Sequence, residues 1–162
     1  MDIEQFMRGY KTAWELRDET RFCALFSSDG VYRNTPFAEQ RGHAQLAKYW
    51  QRVKLQAEIN VVYEVLASFS AGGVAHWHVT YQVTSEELFQ IWAASTGTNV
   101  IARKPGDPLP RMTLDGILQA HFDRDLCSEC RIWWHSMAMV QQVATGPISE
   151  GQCNGRKQDQ AD

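Results

Sequence analysis

The sequence has little of several features that define large functional classes. It contains no apolar stretch of the roughly 20 residues that a membrane-spanning helix needs. Its 16 basic residues are outnumbered by 19 acidic ones, the net charge is −3, and no basic cluster occurs, so neither nucleic acid nor a membrane surface is expected as a partner. A glycine-rich phosphate loop and a G-x-S-x-G motif are also missing, which leaves nucleotide-binding and serine-hydrolase functions without support.

Targeting signals and cysteines are equally sparse. The amino-terminal residues carry no basic start and no apolar run, so no signal peptide is predicted and a cytoplasmic location is expected. The four cysteines are Cys23, Cys127, Cys130 and Cys153. Cys127 and Cys130 have C-x-x-C spacing, but a zinc site would require a second pair and a redox motif would open a helix. Reduced structural cysteines are the preferred interpretation over a functional thiol pair.

The apolar residues that are present recur at regular spacings. They are rich in aromatic side chains, including six tryptophans. After Asp2, the predicted N-cap, the apolar residues recur at helical spacing, and in later segments they recur at every second residue. This pattern predicts helix 3–14, a short helix after residue 18, strand 31–35 ending at Pro36, a helix over about 43–53, and strands 58–69, 74–83, 114–122 and 130–138.

Residues 84–111 and the carboxyl-terminal end are harder to assign. Ser85 could cap a short helix that runs through Trp92, or the same residues could extend the preceding strand. Three prolines and a glycine between residues 104 and 110 indicate a loop, and a loop of this length is often a lid or a binding loop. We therefore predict one domain over 1–140 with a loop or lid insertion at 84–111, and a flexible tail over 141–162.

The order of elements predicts the fold class. Helices come first and four long strands in meander order come last, which is typical of an α+β domain. Because long strands twist and curl, we expect a curved, mixed but mostly antiparallel sheet with the amino-terminal helices across its concave face. Such an arrangement leaves a conical cavity between the helices and the sheet.

Several short segments carry a resemblance to a known family. They are residues 26–32 (FSSDGVY), 35–37 (TPF), 41–43 (RGH) with Trp50, and 133–135 (WWH). Together they resemble the SnoaL-like branch of the nuclear transport factor 2-like superfamily over about residues 1–138. The superfamily includes polyketide cyclases, steroid isomerases, epoxide hydrolases, dehydratases and non-catalytic binding proteins, so the resemblance predicts the fold more sharply than the function.

The resemblance implies a cone-shaped pocket and a homodimer packed through the sheet. In the cyclases and epoxide hydrolases of this superfamily, carboxylates on the last strands act as acids or bases. The matching position near the end of the last strand is His135 in this chain. That difference weakens any direct transfer of either mechanism.

Two residues are candidate catalytic groups. His135 could act as a general base near neutral pH if it faces an apolar pocket, or it could be hydrogen-bonded at a dimer face. Asp115 lies in a strand expected to be buried, where its pKa would rise unless it is paired. A salt bridge to Arg131 or Arg103 is the simpler interpretation of Asp115. Strand parity alone does not show which face looks into the cone.

A larger set of residues is predicted to line the pocket. Aromatic side chains would form apolar walls, and the polar ones could orient a carbonyl or hydroxyl. The predicted ligand-binding residues are Trp14, Tyr32, Asn34, Phe37, Trp50, Tyr63, Trp77 and Trp133, some of which could simply fill the core.

Strand 74–83 carries a pair of histidines with the spacing of metal ligands. His76 and His78 point the same way, and a third ligand could come from His121, Asp115 or Glu64. The polar outer face of a sheet explains the pair more simply. No metal and no cofactor are predicted.

Two functions remain open from the sequence. The first is a pocket protein that binds a small apolar or aromatic molecule, as a cofactor-free isomerase, cyclase, dehydratase or hydrolase. There His135 would be acid or base, Asp115 its partner, and Tyr32 or Asn34 the donor to a developing oxyanion. The second is a non-catalytic ligand-binding or dimeric assembly module.

Overall fold

The computed structural model describes residues 1–96 and 106–139. Its helices are α1 (Ile3–Glu15), α2 (Glu19–Ala24), α3 (Gly42–Trp50) and α4 (Glu86–Thr96), with a 3₁₀ helix at Gln51–Leu55. Its strands are β1 (Phe26–Thr35), β2 (Ala38–Arg41), β3 (Gln56–Phe69), β4 (Gly72–Val83), β5 (Arg111–Asp123) and β6 (Leu126–Met139). The predicted tail at 141–162 lies outside the described residues.

The helix starts follow from capping chemistry. Asp2 and Gln5 form a reciprocal capping box at the start of α1, and the Asp18 carboxylate accepts a hydrogen bond from the Arg21 backbone N–H at the start of α2. At α4 the Ser85 hydroxyl accepts a hydrogen bond from the Leu88 N–H. The helical interpretation of residues 86–96 is therefore correct, and the extended-strand alternative is wrong.

The six strands form one mixed sheet in the order β2-β1-β6-β5-β4-β3. Only β1 and β6 are parallel neighbours among the described strands; every other pair is antiparallel. The prediction of an α+β fold with a mixed, mostly antiparallel sheet is confirmed. The start of β1 at Phe26 and the presence of β2 were missed. The sequence prediction ended the strand at Pro36, whereas the chain turns there and pairs back as β2.

The curvature of the sheet has a local cause in β3. The pairing with β4 shifts between Ala57 and Asn60 and again between Val65 and Ala67, and Glu58 adopts a left-handed φ of 49°. Bulges of this kind increase strand twist and bend the strand. They help the sheet wrap around the helices, which produces the conical shape.

The core fills the concave side of the sheet. Along β4 the inward side chains Ala75, Trp77, Val79 and Tyr81 are buried, and the residues between them are only partly buried. The apolar stripe of α1 packs onto this surface, and the rings of Phe22 and Trp50 stack with centroids 3.8 Å apart. No helix in the described ranges is long and apolar enough to cross a bilayer.

Candidate functional site

A cavity of about 390 Å³ lies at the open end of the cone. Its walls come from α1, the turn between β1 and β2, α3 with the 3₁₀ helix, the concave face of the sheet, and α4. This is the size and setting of a small-molecule site. Ten aromatic residues line it: Tyr10, Trp14, Tyr32, Phe37, Tyr49, Trp50, Trp77, Tyr81, Trp92 and Trp134.

The aromatic walls are held rigidly by ring contacts and indole hydrogen bonds. The Trp14 ring lies 5.9 Å from that of Trp50 and 5.6 Å from that of Trp77, centroid to centroid. Trp134 donates its indole N–H to the backbone oxygen of Asn34 at 2.7 Å, which ties β6 to β1 beside the cavity. Because these rings are fixed before any ligand arrives, little ordering entropy would be lost on binding.

Two tyrosine hydroxyls form a hydrogen-bonded polar group in the cavity wall. The Oη atoms of Tyr10 and Tyr32 are 2.9 Å apart and buried. Burial raises the pKa of both hydroxyls well above the usual value, so both stay protonated at neutral pH. Two hydroxyls carry two protons and their mutual bond uses one. The second proton is therefore available to an acceptor on a ligand.

Further hydrogen-bonding groups belong to the same walls. Gln56 is the only buried polar residue in the described part of the chain, and its Oε1 accepts the Trp14 indole N–H at 2.8 Å. Gln40 Oε1, Trp50 Nε1 and Trp77 Nε1 are buried without a hydrogen-bond partner in the described residues. All of these side chains line the cavity. A concentration of unsatisfied polar atoms in one cavity wall is more typical of a binding site than of a closed core.

Arg52 is the charged member of the described lining. Its Nε donates to the backbone oxygen of Tyr49 at 3.1 Å, and its guanidinium carbon lies 4.0 Å from the centroid of the Tyr49 ring. Burial raises the pKa of Tyr49 to about 12 against the lowering effect of the Arg52 charge. No carboxylate or imidazole occurs among the described lining residues.

Six of the eight predicted ligand-binding residues line the cavity, and their role in binding stays a prediction. The cavity wall includes Trp14, Tyr32, Asn34, Phe37, Trp50 and Trp77. Phe37 is 95% exposed and stands at the rim, in the turn between β1 and β2. The structure thus brings these six side chains together from α1, β1, α3, β4 and the turn between β1 and β2.

Two other predicted pocket residues do not line the cavity. Trp133 is 48% exposed on the outer face of the sheet, because its neighbour Trp134 takes the inward position and successive side chains alternate. The Tyr63 ring is half-buried under α1, where its hydroxyl donates to Glu4 Oε1 at 2.8 Å. Placing Trp133 and Tyr63 in the cavity wall was wrong.

The two candidate catalytic residues also lie away from the cavity. Asp115 and His135 are cross-strand partners on the outer face, since their neighbours Leu114 and Trp134 point inward. Asp115 accepts hydrogen bonds from His76 Nε2 at 3.0 Å and His78 Nδ1 at 3.2 Å. The hydrogen bond from His76 is the main reason that the pKa of Asp115 is lowered rather than raised. Its partners among the described residues are therefore histidines. Of the two predicted arginines, Arg131 pairs with Glu129 instead, and Arg103 lies outside the described residues.

The histidine pair and the cysteines show no metal site. His76 and His78 bond to Asp115, and no group of three or more His, Cys, Asp or Glu side chains in residues 1–96 and 106–139 is positioned to hold a metal ion. Cys127 and Cys130 are buried and free, and burial raises the pKa of both thiols. A raised pKa suppresses the thiolate, which fits structural cysteines better than reactive ones.

The cavity residues that the sequence prediction missed were missed for different reasons. Tyr10, Arg52, Tyr81 and Trp134 all line the cavity. Tyr10 and Tyr81 lie on the apolar faces of a predicted helix and strand, so their patterns predicted burial without distinguishing core from cavity wall. Arg52 carried no signal beyond its position near the end of a predicted helix. The inward direction of Trp134 follows from register, which the sequence did not fix.

Comparison with known proteins agrees with this geometry. Residues 6–109 match the model of the SnoaL-like domain. The chain belongs to the SnoaL-like family. No curated protein matches its sequence.

Solved structures share the fold of this SnoaL-like chain at low sequence identity. A Δ5-3-ketosteroid isomerase from Mycobacterium sp. is 14% identical with a TM-score of 0.61, covering 85% of this chain and 98% of its own. The epoxide hydrolase/cyclase-like enzyme SalBIII, described in pyran ring formation in the polyether salinomycin, is 11% identical with a TM-score of 0.59, covering 82% and 89%. An NTF2-like protein from Burkholderia xenovorans LB400 is 15% identical with a TM-score of 0.53, covering 82% and 88%. These likenesses establish the fold alone.

Proposed function

We propose that this SnoaL-like protein binds a small apolar or aromatic molecule in the conical cavity. The observation that carries the proposal is the cavity itself: about 390 Å³, lined by ten aromatic side chains and a few convergent polar groups. Tightly packed rings supply a large apolar contact area, and the Tyr10–Tyr32 pair and Gln56 supply hydrogen bonds that orient a ligand.

The ligand is expected to present a hydrogen-bond acceptor to the hydroxyl pair. A ketone or similar carbonyl fits, because the free proton of the Tyr10–Tyr32 pair needs an acceptor and the surrounding rings exclude competing water. The apolar body of the ligand would lie against Trp14, Trp50 and Trp77; the Trp14 ring contacts both of the others.

The geometry supports ligand binding rather than acid–base catalysis in which His135 and Asp115 are the reacting groups. A general acid or base must come within hydrogen-bond reach of the reacting group, and these two side chains lie on the opposite face of the sheet from the cavity. The described lining offers no other carboxylate or imidazole. If a reaction occurs in the cavity, the Tyr10–Tyr32 pair is the group that would polarise a carbonyl.

The experiment is calorimetric titration with 2-acetylnaphthalene, a bicyclic aromatic ketone. Leu114→Phe enlarges a side chain in the cavity wall, whereas Ile117→Phe adds the same group on the same strand but on the outer face. We expect Leu114→Phe to weaken binding at least about tenfold and Ile117→Phe to leave it unchanged. Equal effects of both substitutions, or binding of neither 2-acetylnaphthalene nor its carboxylate analogue 2-naphthoate by the unsubstituted protein, would refute the proposal.

We also propose that the outer face of the sheet forms a homodimer. Val62, Ile117, Trp133 and Met137 are each 42–59% exposed on this face, and Ile117 and Trp133 are cross-strand neighbours in the middle of the sheet. Exposed apolar side chains at the centre of a sheet favour burial against a second copy.

Light scattering during size-exclusion chromatography tests this second proposal. The protein should elute with twice the 18.5 kDa mass of one chain. Trp133→Glu should return it to the monomer mass, because the dimer interface would bury an unpaired charge. Phe37→Glu, a similar exchange at the cavity rim, should not change the mass. A monomeric parent protein at 100 μM would contradict the dimer.

A further inference from the structure

Arg52 differs from several other arginines of the chain in having no acidic partner among the described residues. Arg33 pairs with Glu129 at 3.0 Å, Arg111 with Glu58 at 2.7 Å, and Arg21 with Asp18 at 3.0 Å. Within the described part of the chain Arg52 makes no ion pair, and its hydrogen bond goes to a backbone oxygen. It is nevertheless half-buried and lines the cavity.

The position of the Arg52 guanidinium is fixed by Tyr49 alone. The Nε bond to the Tyr49 backbone oxygen uses one of the five N–H donors, and the face of the guanidinium lies over the Tyr49 ring. Both contacts leave the two Nη groups without a hydrogen bond to the described residues. Those groups form a planar fork whose geometry matches the two oxygens of a carboxylate.

The electrostatics of the lining point the same way. Arg52 is the one formal charge among the described lining residues, and no carboxylate among them offsets it. Tyr49 and Tyr81 both feel the Arg52 charge, which acts to lower the pKa of each hydroxyl. A cation in a half-buried, aromatic-lined site is weakly screened, so an opposite charge on a ligand would be bound strongly.

We infer that the ligand of this cavity is an aromatic or apolar carboxylate whose carboxylate group is bound by the Arg52 guanidinium. The inference rests on the proposed binding function and adds the charge of the ligand. The rings hold the apolar body, and Arg52 selects for the anion at one end. A neutral molecule of the same shape would leave the Nη donors unpaired in the wall, which lowers its affinity.

The test compares two probes of nearly equal shape, 2-naphthoate and 2-acetylnaphthalene, by calorimetry at pH 7 and low salt. The carboxylate should bind roughly ten- to hundredfold more tightly than the ketone. Arg52→Gln should remove that preference, because the substitution removes both the positive charge and the guanidinium fork. Arg52→Lys should keep part of the preference, because lysine retains the charge but loses the fork.

Lys48→Gln is the matched control. Lys48 is an exposed cation on α3 that does not line the cavity, so its loss changes the net charge equally without touching the site. The carboxylate preference should survive this substitution. If Lys48→Gln lowers the preference as much as Arg52→Gln does, the effect comes from overall charge and the inference is overturned.

The remaining outcomes separate this inference from the proposed function. If the two probes bind the parent protein equally well, the cavity binds small aromatic molecules but Arg52 is only a packing partner of Tyr49, and the inference fails alone. If neither probe binds, the proposed binding function fails and takes the inference with it. The parent-protein comparison decides between these cases even if Arg52→Gln does not fold.

Discussion

The buried bond between Tyr10 and Tyr32 gives a prediction that can be worked out quantitatively. Removing either hydroxyl leaves the other without its partner inside the cone. Loss of one partner in a buried hydrogen bond costs about 1–3 kcal/mol. We therefore expect Tyr10→Phe and Tyr32→Phe each to lower the free energy of unfolding by about 1–2 kcal/mol. At roughly 2–4 °C per kcal/mol for a chain of this length, the midpoint should fall by about 2–8 °C.

The double variant makes the prediction specific to the bond. Once one hydroxyl is gone, removing the second leaves no unpaired group, so the double variant should be about 0.5–1.5 kcal/mol more stable than the sum of the single losses predicts. Urea unfolding of all four proteins measures this coupling. Tyr63→Phe is the control, because its hydroxyl bonds to the exposed Glu4 and should cost less than about 0.5 kcal/mol. Strictly additive losses would show that the two hydroxyls do not depend on each other.

Three further predictions concern pH, the outer face and the close packing of the sheet. Burial raises the folded-state pKa of Tyr10 and Tyr32 above the unfolded-state pKa of about 10. Their stabilising contribution is therefore complete below about pH 10 and is lost as the pH rises beyond it. Free energies of unfolding measured between about pH 8 and 11.5 should fall steeply above about pH 10, and a flat profile would contradict the burial of the two hydroxyls. Asp115→Asn and His135→Ala should leave the calorimetric affinity for 2-acetylnaphthalene within about twofold of the parent value, since both side chains lie on the outer face; a tenfold loss would return them to the site. Gly116→Ala should lower the free energy of unfolding, measured in urea, by about 1–3 kcal/mol, because a Cβ there would lie 2.5 Å from a backbone oxygen of β6. An unchanged unfolding midpoint would show that β5 and β6 are not packed this closely.

The helices and the class of the sheet could be predicted because their signals are local. Asp2 and Gln5 form a capping box within four residues, and the apolar stripe of α1 needs no tertiary information. The alternation in residues 74–83 likewise set the apolar face of β4. The family resemblance rested on other short segments, residues 26–32, 35–37, 41–43 and 133–135 with Trp50, and these are equally local.

The failures concern face and register, which are properties of the assembled sheet. In β6 both faces carry large side chains, so parity could not decide between Trp133 and Trp134. The inward face was left open, and the candidate catalytic roles of His135 and Asp115 required the face that the structure turns outward. Two residues of the cavity wall were missed because nothing in their sequence pattern was unusual. Tyr10 resembled an ordinary core residue, and Arg52 resembled an ordinary solvent-exposed cation.

The six tryptophans allow one direct test of the binding site. Five of them line the cavity, and Trp133 lies on the outer face. We would label the indole nitrogens with ¹⁵N and follow their N–H resonances during titration with 2-acetylnaphthalene. We expect shifts for Trp14, Trp50, Trp77, Trp92 and Trp134 and none for Trp133. A shift of Trp133 with the cavity indoles unmoved, or no shift in any indole at millimolar ligand, would contradict binding in the cone.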